Sequence, residues 1–277
     1  MKNNEWTKEE IEYLKNNYLK QTNKQLSLSL DRSVKAVEVK LTRLGFTRPK
    51  KLIYDDKIFE IIDTEEKAYW LGFLMADGYI TVTDRNAELG IELNIKDKRH
   101  LFKFQKFLKT NAMVQERNRF FEKVANNYCN KTLSSCFIRI YNKKIVEDLI
   151  NLGFQQNKRN KGLKFCQIPD NLKRHFIRGF FDGDGSIAKI HNRANYICNI
   201  TSKDEKFLKE IRKILYIEGI NSYLTNWTNG YNNKIYQLNV AAKKDVEKYL
   251  NFIYQDSKIY LERKHSLYLI ATSISNS

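Results

Sequence analysis

The chain has 277 residues, of which 49 are lysine or arginine and 32 are aspartate or glutamate, giving a formal net charge of +17. This length suits one large domain or two smaller ones, and the positive charge favours a polyanionic partner such as nucleic acid. The sequence has no CxxC pair, no apolar signal region and no apolar run near the ~20 residues of a membrane span. We therefore expect a soluble intracellular protein, in a prokaryotic or phage-related cytoplasm or an organelle, with no zinc site, disulfide framework or membrane partner.

Residues 1–48 are predicted to form a small three-helix domain, followed by a linker over residues 49–60. Thr7 and Glu10 form a capping-box pattern at the start of "EWTKEEIEYLKNNY", "TNKQLSLSL" suits a second helix, and "RSVKAVEVKLTRLGF" suits a third that ends at Gly45. The predicted buried residues of the third helix are Val34, Val37, Leu41 and Leu44. The domain resembles Myb/SANT-like helix-turn-helix modules, which implies that its third helix enters a DNA major groove through Lys35, Lys40 and Arg43. A domain for protein contact is the alternative.

The rest of the chain contains one unit of roughly a hundred residues twice, over 61–155 and 156–277. The stretch "YWLGFLMADGYI" (69–80) matches "FIRGFFDGDGSI" (176–187), 107 residues later, and "KDKRHLFKFQKFL" (96–108) matches "KDEKFLKEIRKIL" (203–215) at the same spacing. Further on, "IYNKKIVEDLI" (140–150) matches "VAAKKDVEKYL" (240–250) at a spacing of 100. This pattern indicates a tandem duplication.

Each unit is predicted to run helix, two strands, helix, two strands, helix. Asp63 and Glu66 suggest a capping box for a helix that ends at Asp77, and Asp170 suggests the cap of its second copy. Alternation of apolar and polar residues predicts half-buried strands at 91–96, 137–141, 198–201 and 236–240. Antiparallel hairpins with helices on one face give an α+β fold class, with the opposite face of each sheet polar and basic.

Two acids stand where the apolar helices are predicted to end. Asp77 and Asp184 lie in the unfavourable field of a helix C-terminus. Small residues spaced by four, Gly72 and Ala76 in one helix and Gly179 and Gly183 in the other, form stripes that let helices approach closely. If the two stripes pack together, the two carboxylates meet, and Mg²⁺, a hard ion that takes oxygen ligands, would relieve their repulsion. A single "DGDG" is more often a turn, and an EF-hand is excluded because Ile187 and Arg193 stand at its required glycine and glutamate positions.

The stretches "WLGFLMADG" (70–78) and "IRGFFDGDG" (177–185) resemble the paired motifs of LAGLIDADG homing endonucleases. Met75 departs from the motif, whereas Asp182 keeps its first acid. The resemblance implies two pseudo-two-fold αββαββα units whose sheets bind DNA and whose motif helices meet through Gly72, Ala76, Gly179 and Gly183. It also implies Asp77 and Asp184 as catalytic acids that hold Mg²⁺, or another divalent ion such as Mn²⁺, together with Ala76 and Gly183. Cleavage would leave short 3′ overhangs.

The resemblance also implies basic and DNA-contacting residues. Lys158 and Lys264 are the predicted catalytic lysines, with Lys161 and Lys164 as rivals for Lys158. The predicted DNA contacts outside the N-terminal domain are Thr81, Thr83, Arg85, Glu92, Asn94, Lys96, Arg119, Arg139, Lys189, His191, Arg193, Asn199, Thr201, Gln237 and Asn239.

The leading hypothesis is a monomeric, site-specific double-strand DNA endonuclease of the homing type. The first alternative is a non-catalytic regulator on the same scaffold, or an intron-splicing maturase that binds intron RNA. A protein-interaction domain with incidental basicity is the third possibility, and weak salt dependence of DNA binding would single it out.

Overall fold

The structure is a computed structural model that describes residues 5–46, 52–124, 127–154, 168–190 and 195–273, apart from the side chains of 121–131. The chain divides into two compact units. One consists of Met1–Asp55 and Glu92–Ile140, and the other of Asp56–Ile91 and Tyr141–Ser277. Within the described ranges, every helix is too short or too polar to span a lipid bilayer.

Three short helices at the N-terminus pack around a small apolar core. They are α1 (Lys8–Asn17), α2 (Asn23–Leu30) and α3 (Val34–Arg43). The predicted capping box of Thr7 and Glu10 is confirmed, and Gly45 adopts the left-handed conformation just after α3 with φ of +71°. The core residues are Leu14, Leu26, Leu30, Val37 and Leu41. The prediction that Val34 is buried is wrong, because Val34 is the first residue of α3 and is 40% exposed.

The predicted element order is confirmed in both repeats. The first repeat contains α4 (Glu65–Asp77), β1 (Gly78–Val82), β2 (Ala87–Asn94), α5 (Lys98–Phe107), β3 (Gln115–Val124), β4 (Asn127–Tyr141) and α6 (Lys143–Asn151). The second contains α7 (Lys173–Asp184), β5 (Gly185–Lys189), β6 (Tyr196–Ser202), α8 (Glu205–Ile217), β7 (Tyr223–Thr228), β8 (Lys234–Val240) and α9 (Lys243–Tyr254). A further helix, α10 (Glu262–Ser273), follows. The result is a mixed helix and sheet fold with two four-stranded sheets.

The two sheets have the same topology. The strand orders are β1-β2-β4-β3 and β5-β6-β8-β7, and the β1–β2, β3–β4, β5–β6, β6–β8 and β7–β8 pairings are antiparallel. One face of each sheet belongs to the core, as shown by buried Leu89, Ile91, Cys198, Ile200 and Leu238. Because strand side chains alternate between the two faces, the residues between these form an outer face on each sheet.

The starts of the two motif helices differ from the sequence prediction. Thr64, and not Asp63, caps α4, since the Thr64 side chain accepts a hydrogen bond from the Lys67 N–H, while Asp63 forms a 2.8 Å ion pair with Lys67 Nζ one turn later. Asp170 begins a 3-10 turn ahead of α7, and α7 has no side-chain cap. The first predicted cap is therefore replaced by its neighbour, and a 3-10 turn stands in place of the second.

Candidate active site and nucleic-acid interface

The two motif helices α4 and α7 cross at backbone contact distance through their glycines. A Cβ atom built on Gly72 would lie 2.1 Å from the carbonyl oxygen of Phe176, and one on Gly179 would lie 1.9 Å from the carbonyl oxygen of Tyr69. Real Cβ atoms do not tolerate such distances, so only glycine permits this approach. In the structure the two helices therefore pack against each other at Gly72 and Gly179.

The same interface brings the ends of α4 and α7 together. A Cβ atom on Gly183 would lie 2.4 Å from the Ala76 Cβ and 3.3 Å from Oδ2 of Asp77. Asp77 and Asp184 are the last residues of their helices, and both carboxylates lie close enough to the Lys264 ammonium group to raise its pKa. Neither α4 nor α7, both described throughout, has a basic residue in its last turn to offset the helix-end field.

This arrangement suits a hard divalent cation. Asp77 is half-buried and Asp184 is exposed, and carboxylate and carbonyl oxygens are the ligands that Mg²⁺ and Ca²⁺ take. The absent Cβ of Gly183 leaves space beside the Asp77 carboxylate. Among the described residues, no group of three or more histidine, cysteine, aspartate or glutamate side chains forms a metal site. The oxygen atoms that could bind a cation here are those of the two carboxylates and the helix-end carbonyls of Ala76 and Gly183.

Lys264 is a buried lysine that caps the end of α7. Its side chain is 2% exposed, and Nζ donates hydrogen bonds to the carbonyl oxygens of Phe181 and Gly185, with a longer contact of 3.4 Å to that of Gly183. Burial lowers the pKa of Lys264 to about 8, opposed mainly by Asp182. Lys264 therefore lies beside the two helix-end acids, but its ammonium group donates its hydrogen bonds to the backbone of α7 and Gly185. Lys158, its predicted counterpart, lies outside the described residues, as do Lys161 and Lys164.

Asp182, the motif acid that has no counterpart at Met75, is a buried acceptor of three hydrogen bonds. The hydroxyl groups of Tyr69 and Tyr254 and the N–H of Leu261 donate to its carboxylate over 2.7, 2.5 and 2.7 Å. Burial raises the pKa of Asp182, while Lys264 and the hydrogen bonds oppose that rise. Sequence reasoning missed this network, because each of its three donors lies at least 72 residues from Asp182 along the chain.

A buried ion pair lies one helical turn before Asp182. Arg178 Nη2 is 2.7 Å from Oε1 of Glu65 at the start of α4, and the guanidinium also donates to the carbonyl oxygens of Ile253 and Ile259. The N–H of Lys258 donates to the same Glu65 oxygen. Arg178 and Asp182 together fasten α7 to α4 and to the segment between α9 and α10. Charged residues are usually exposed to solvent, so the sequence alone does not predict that Arg178 is buried.

Arginines stand out on the outer face of the first sheet. Arg117 and Arg119 on β3 lie 3.8 and 3.1 Å from the Glu92 carboxylate, and Arg139 on β4 lies over the Phe137 ring. The other predicted DNA contacts of this repeat, Thr81, Thr83, Arg85, Asn94 and Lys96, are exposed. Lys96 lies in a 3-10 turn after β2, which ends two residues earlier than predicted.

The outer face of the second sheet presents amides and hydroxyl groups. Asn199 accepts a 3.1 Å hydrogen bond from Ser186, and Gln237 donates a 3.4 Å bond to Thr201. Asn239 is predicted to be exposed, and this is wrong. It is 4% exposed, and its Nδ2 donates to Thr225 and to the Gln237 carbonyl. Alternation predicts its face, but the neighbouring strand β7 covers it. Lys189 is exposed at the end of β5, and His191 and Arg193 lie outside the described residues.

The three predicted DNA contacts on α3 differ in their exposure and in their neighbours. Lys35 and Arg43 are exposed, and Lys35 forms a loose 3.6 Å ion pair with Glu38. Lys40 is half-buried with Nζ 5.8 Å from the centre of the Trp6 ring. A nucleic-acid role for α3 stays a prediction.

Two protein-family models match the repeats. The model of the LAGLIDADG-like domain matches residues 171–254, and that of the WhiA LAGLIDADG-like domain matches residues 66–124.

Two curated proteins match parts of the chain. The tRNA-splicing ligase RtcB of Pyrococcus furiosus is 24% identical over 206 residues, which are 68% of this chain and 21% of that protein. An uncharacterised protein of Methanocaldococcus jannaschii is 26% identical over 153 residues, which are 54% of this chain and 52% of that protein. The chain thus spans about a fifth and about half of these two relatives.

Solved structures share the fold. The homing endonuclease I-WcaI bound to its DNA recognition sequence has a TM-score of 0.56 at 15% identity, covering 81% of this chain and 96% of that one. Mesophilic variants of the homing endonuclease I-DmoI have a TM-score of 0.48 at 16% identity, covering 76% and 97%. At such identities the likeness to I-WcaI establishes the fold alone.

Proposed function

The chain belongs to the LAGLIDADG family, and on that premise we propose that it is a monomeric, site-specific double-strand DNA endonuclease of the homing type. The observation that carries the proposal is the convergence of Asp77 and Asp184 at the ends of two helices packed glycine to backbone. A scaffold needed for binding alone has no reason to bring two carboxylates together at the ends of two packed helices. The net charge of +17 supports a polyanionic substrate.

The acids and the backbone of the helix ends would hold a divalent cation. Asp77 and Asp184, with the carbonyl oxygens of Ala76 and Gly183, would bind Mg²⁺, and Mn²⁺ is an expected substitute. The ion, when bound, supplies Lewis-acid stabilisation of phosphodiester oxygens and an activated water. The rest of the chain would hold these oxygen ligands in position. The glycine contacts set the helix separation, and Lys264 holds the last turn of α7 through the carbonyl groups of Phe181 and Gly185.

The outer faces of the two sheets would contact the bases of a long, asymmetric target. A sheet face that carries arginine, asparagine and glutamine can read base edges in a major groove, while lysines at its margins contact phosphates. One chain with two sheets would read both halves of the target, so a monomer suffices.

The test is cleavage of a randomised DNA duplex library by the full chain with Mg²⁺, with Mg²⁺ plus excess EDTA, and by the Asp77→Asn/Asp184→Asn variant with Mg²⁺. Discrete products with wild-type protein and Mg²⁺ alone are expected, and the cut ends give the target directly. Products that persist in EDTA, or with the double variant, would overturn the assignment of these acids.

A second candidate is a binding protein without cleavage, and the match of residues 66–124 to the WhiA LAGLIDADG-like domain favours it. The buried, apolar Met75 in place of the first motif acid of that half agrees with it. Retention of specific duplexes without cut products in the same experiment would support a regulator. Retention of structured RNA in preference to duplex DNA would support the maturase alternative.

A further inference from the structure

We propose that the two sheets read chemically different half-sites. The first sheet selects guanine in its half of the target, and the second selects an A·T-rich half that needs no guanine. This inference rests on the proposed function, because it specifies the base composition of the DNA that such a protein would bind. It follows from the different side chains on two outer faces that share one topology.

The first sheet presents arginines in restrained positions. The guanidinium carbons of Arg117 and Arg139 lie 4.7 and 5.1 Å from the centre of the Phe137 ring, which is itself 7% exposed. Stacking on an aromatic ring limits the conformations of arginine, whose planar fork of N–H donors matches planar acceptors. The N7 and O6 atoms of guanine are the base acceptors that suit this fork, and arginine to guanine is the commonest specific contact in the major groove.

Glu92 sits among these arginines and favours base reading over phosphate binding. Its carboxylate accepts a 2.6 Å hydrogen bond from Ser135 and lies 3.1 Å from Arg119 Nη2. The negative charge repels phosphate and offsets part of the arginine charge, which weakens contacts that carry no sequence information. A guanine edge carries no net charge, so the carboxylate repels it less than it repels a phosphate.

The second sheet has no such groups. In β5–β8 as the structure describes them, every side chain that the strand pairing places on the outer face is uncharged, and the face includes Asn199, Thr201, Gln237 and Trp227. Lys189 and Lys234 lie at strand ends, on the opposite face by the same register. The face therefore lacks the arginine fork that suits guanine.

Two amides of the second sheet, those of Asn199 and Gln237, each keep one polar end for a base. Asn199 uses its oxygen for Ser186, and Gln237 uses its nitrogen for Thr201. Within the described part of the chain, no further protein hydrogen bond is made by Asn199 Nδ2 or Gln237 Oε1. Amide side chains pair with the N6 and N7 atoms of adenine, and the methyl groups of Thr201 and Ala188 suit the thymine methyl. An A·T-rich half-site follows.

The experiment is a binding selection from a randomised duplex library with the full-length Asp77→Asn/Asp184→Asn protein, whose melting temperature is first compared with that of wild type. Enriched sequences are expected to contain fixed guanines on one side of the centre and A·T pairs on the other. In this background, Arg117→Gln and Arg119→Gln should each lower the preference for guanine at one or more positions roughly tenfold or more, and leave the other half unchanged. Gln237→Leu should relax only the A·T half.

A matched control is Lys213→Gln, which removes an exposed positive charge from α8, outside the strands. It should leave base preference unchanged at every position. If no duplex is enriched, the proposed function fails and the inference falls with it. If a site is enriched but holds fixed guanines in both halves, or if its guanines do not respond to either arginine variant, the inference alone is overturned.

Discussion

The hydroxyl group of Tyr69 on α4 donates a 2.7 Å hydrogen bond to the Asp182 carboxylate on α7, across the helix interface. Tyr254 and the Leu261 N–H complete the shell of the same carboxylate, and Lys264 supplies the nearby positive charge. This interface is therefore not held by apolar packing alone. A buried carboxylate with three donors and a cation links both motif helices to the segment that leads into α10.

We expect Asp182→Ala to destabilise the protein by about 3–5 kcal/mol, because it removes the main negative charge beside the buried Lys264 and leaves three donors unsatisfied. Urea unfolding at neutral pH measures this change. The control is Asp170→Ala, which removes an exposed acid paired with Lys173 before α7 and should have little effect. A loss below 1 kcal/mol for Asp182→Ala would show that the network does not stabilise the interface.

The contact between the helices gives a second prediction. Gly179→Ala places a methyl group against the Tyr69 carbonyl oxygen, and neither backbone can yield without separating the helices. We expect a loss of about 3 kcal/mol or more in the free energy of unfolding. Gly230→Ala is the control, since nothing lies within 4 Å of its added Cβ. Equal stability of the two variants in urea would contradict the close approach.

The helix interface was predictable because its signal is local. Glycine and alanine at spacing four mark one stripe on each helix, and duplication of the stripe identifies its partner. Asp182 carries no comparable signal, since its partners Tyr69, Leu261 and Tyr254 lie 113, 79 and 72 residues away. Nothing in the sequence near position 182 indicates that this acid is buried while Asp184, two residues on, is exposed.

The sheets show a different limit of sequence reasoning. Alternation places Asn239 on the outer face correctly, but whether it is exposed depends on β7, whose Thr225 covers its amide. The helix caps failed for a related reason. Asp63 and Thr64 are both good caps, and the i,i+4 ion pair of Asp63 with Lys67 left the cap to Thr64. The period of a sequence pattern predicts the face on which a side chain lies. Packing decides how deeply that side chain is buried, and local contacts decide which of two neighbouring residues caps a helix.

His175 gives a prediction for acid stability. Burial, Arg178 and Arg174 lower the pKa of His175 to about 4, with Glu65 opposing. The unfolded chain binds the proton first as pH falls below about 6.5, so the folded state loses stability between about pH 6.5 and pH 4. We expect the stability advantage of wild type over His175→Gln to shrink by roughly 2–3 kcal/mol between pH 7 and pH 4.5. Urea midpoints at both pH values measure the shift, and an unchanged difference would refute it.

The two helix-end acids give the last prediction, to be measured on the target once it is identified. Asp77→Asn and Asp184→Asn should each reduce cleavage roughly a thousandfold, because loss of a metal ligand removes several kcal/mol of transition-state stabilisation. Duplex affinity should stay the same or rise, since each variant removes a negative charge that would face phosphate in the proposed complex. The control is Asp256→Asn, an exposed acid with φ of +60°, a conformation that asparagine tolerates.

Gel-shift titration and single-turnover cleavage separate binding from cleavage. If either motif variant cut at the wild-type rate, that acid would have no part in the reaction. If both bound the duplex much more weakly, their role would lie in recognition.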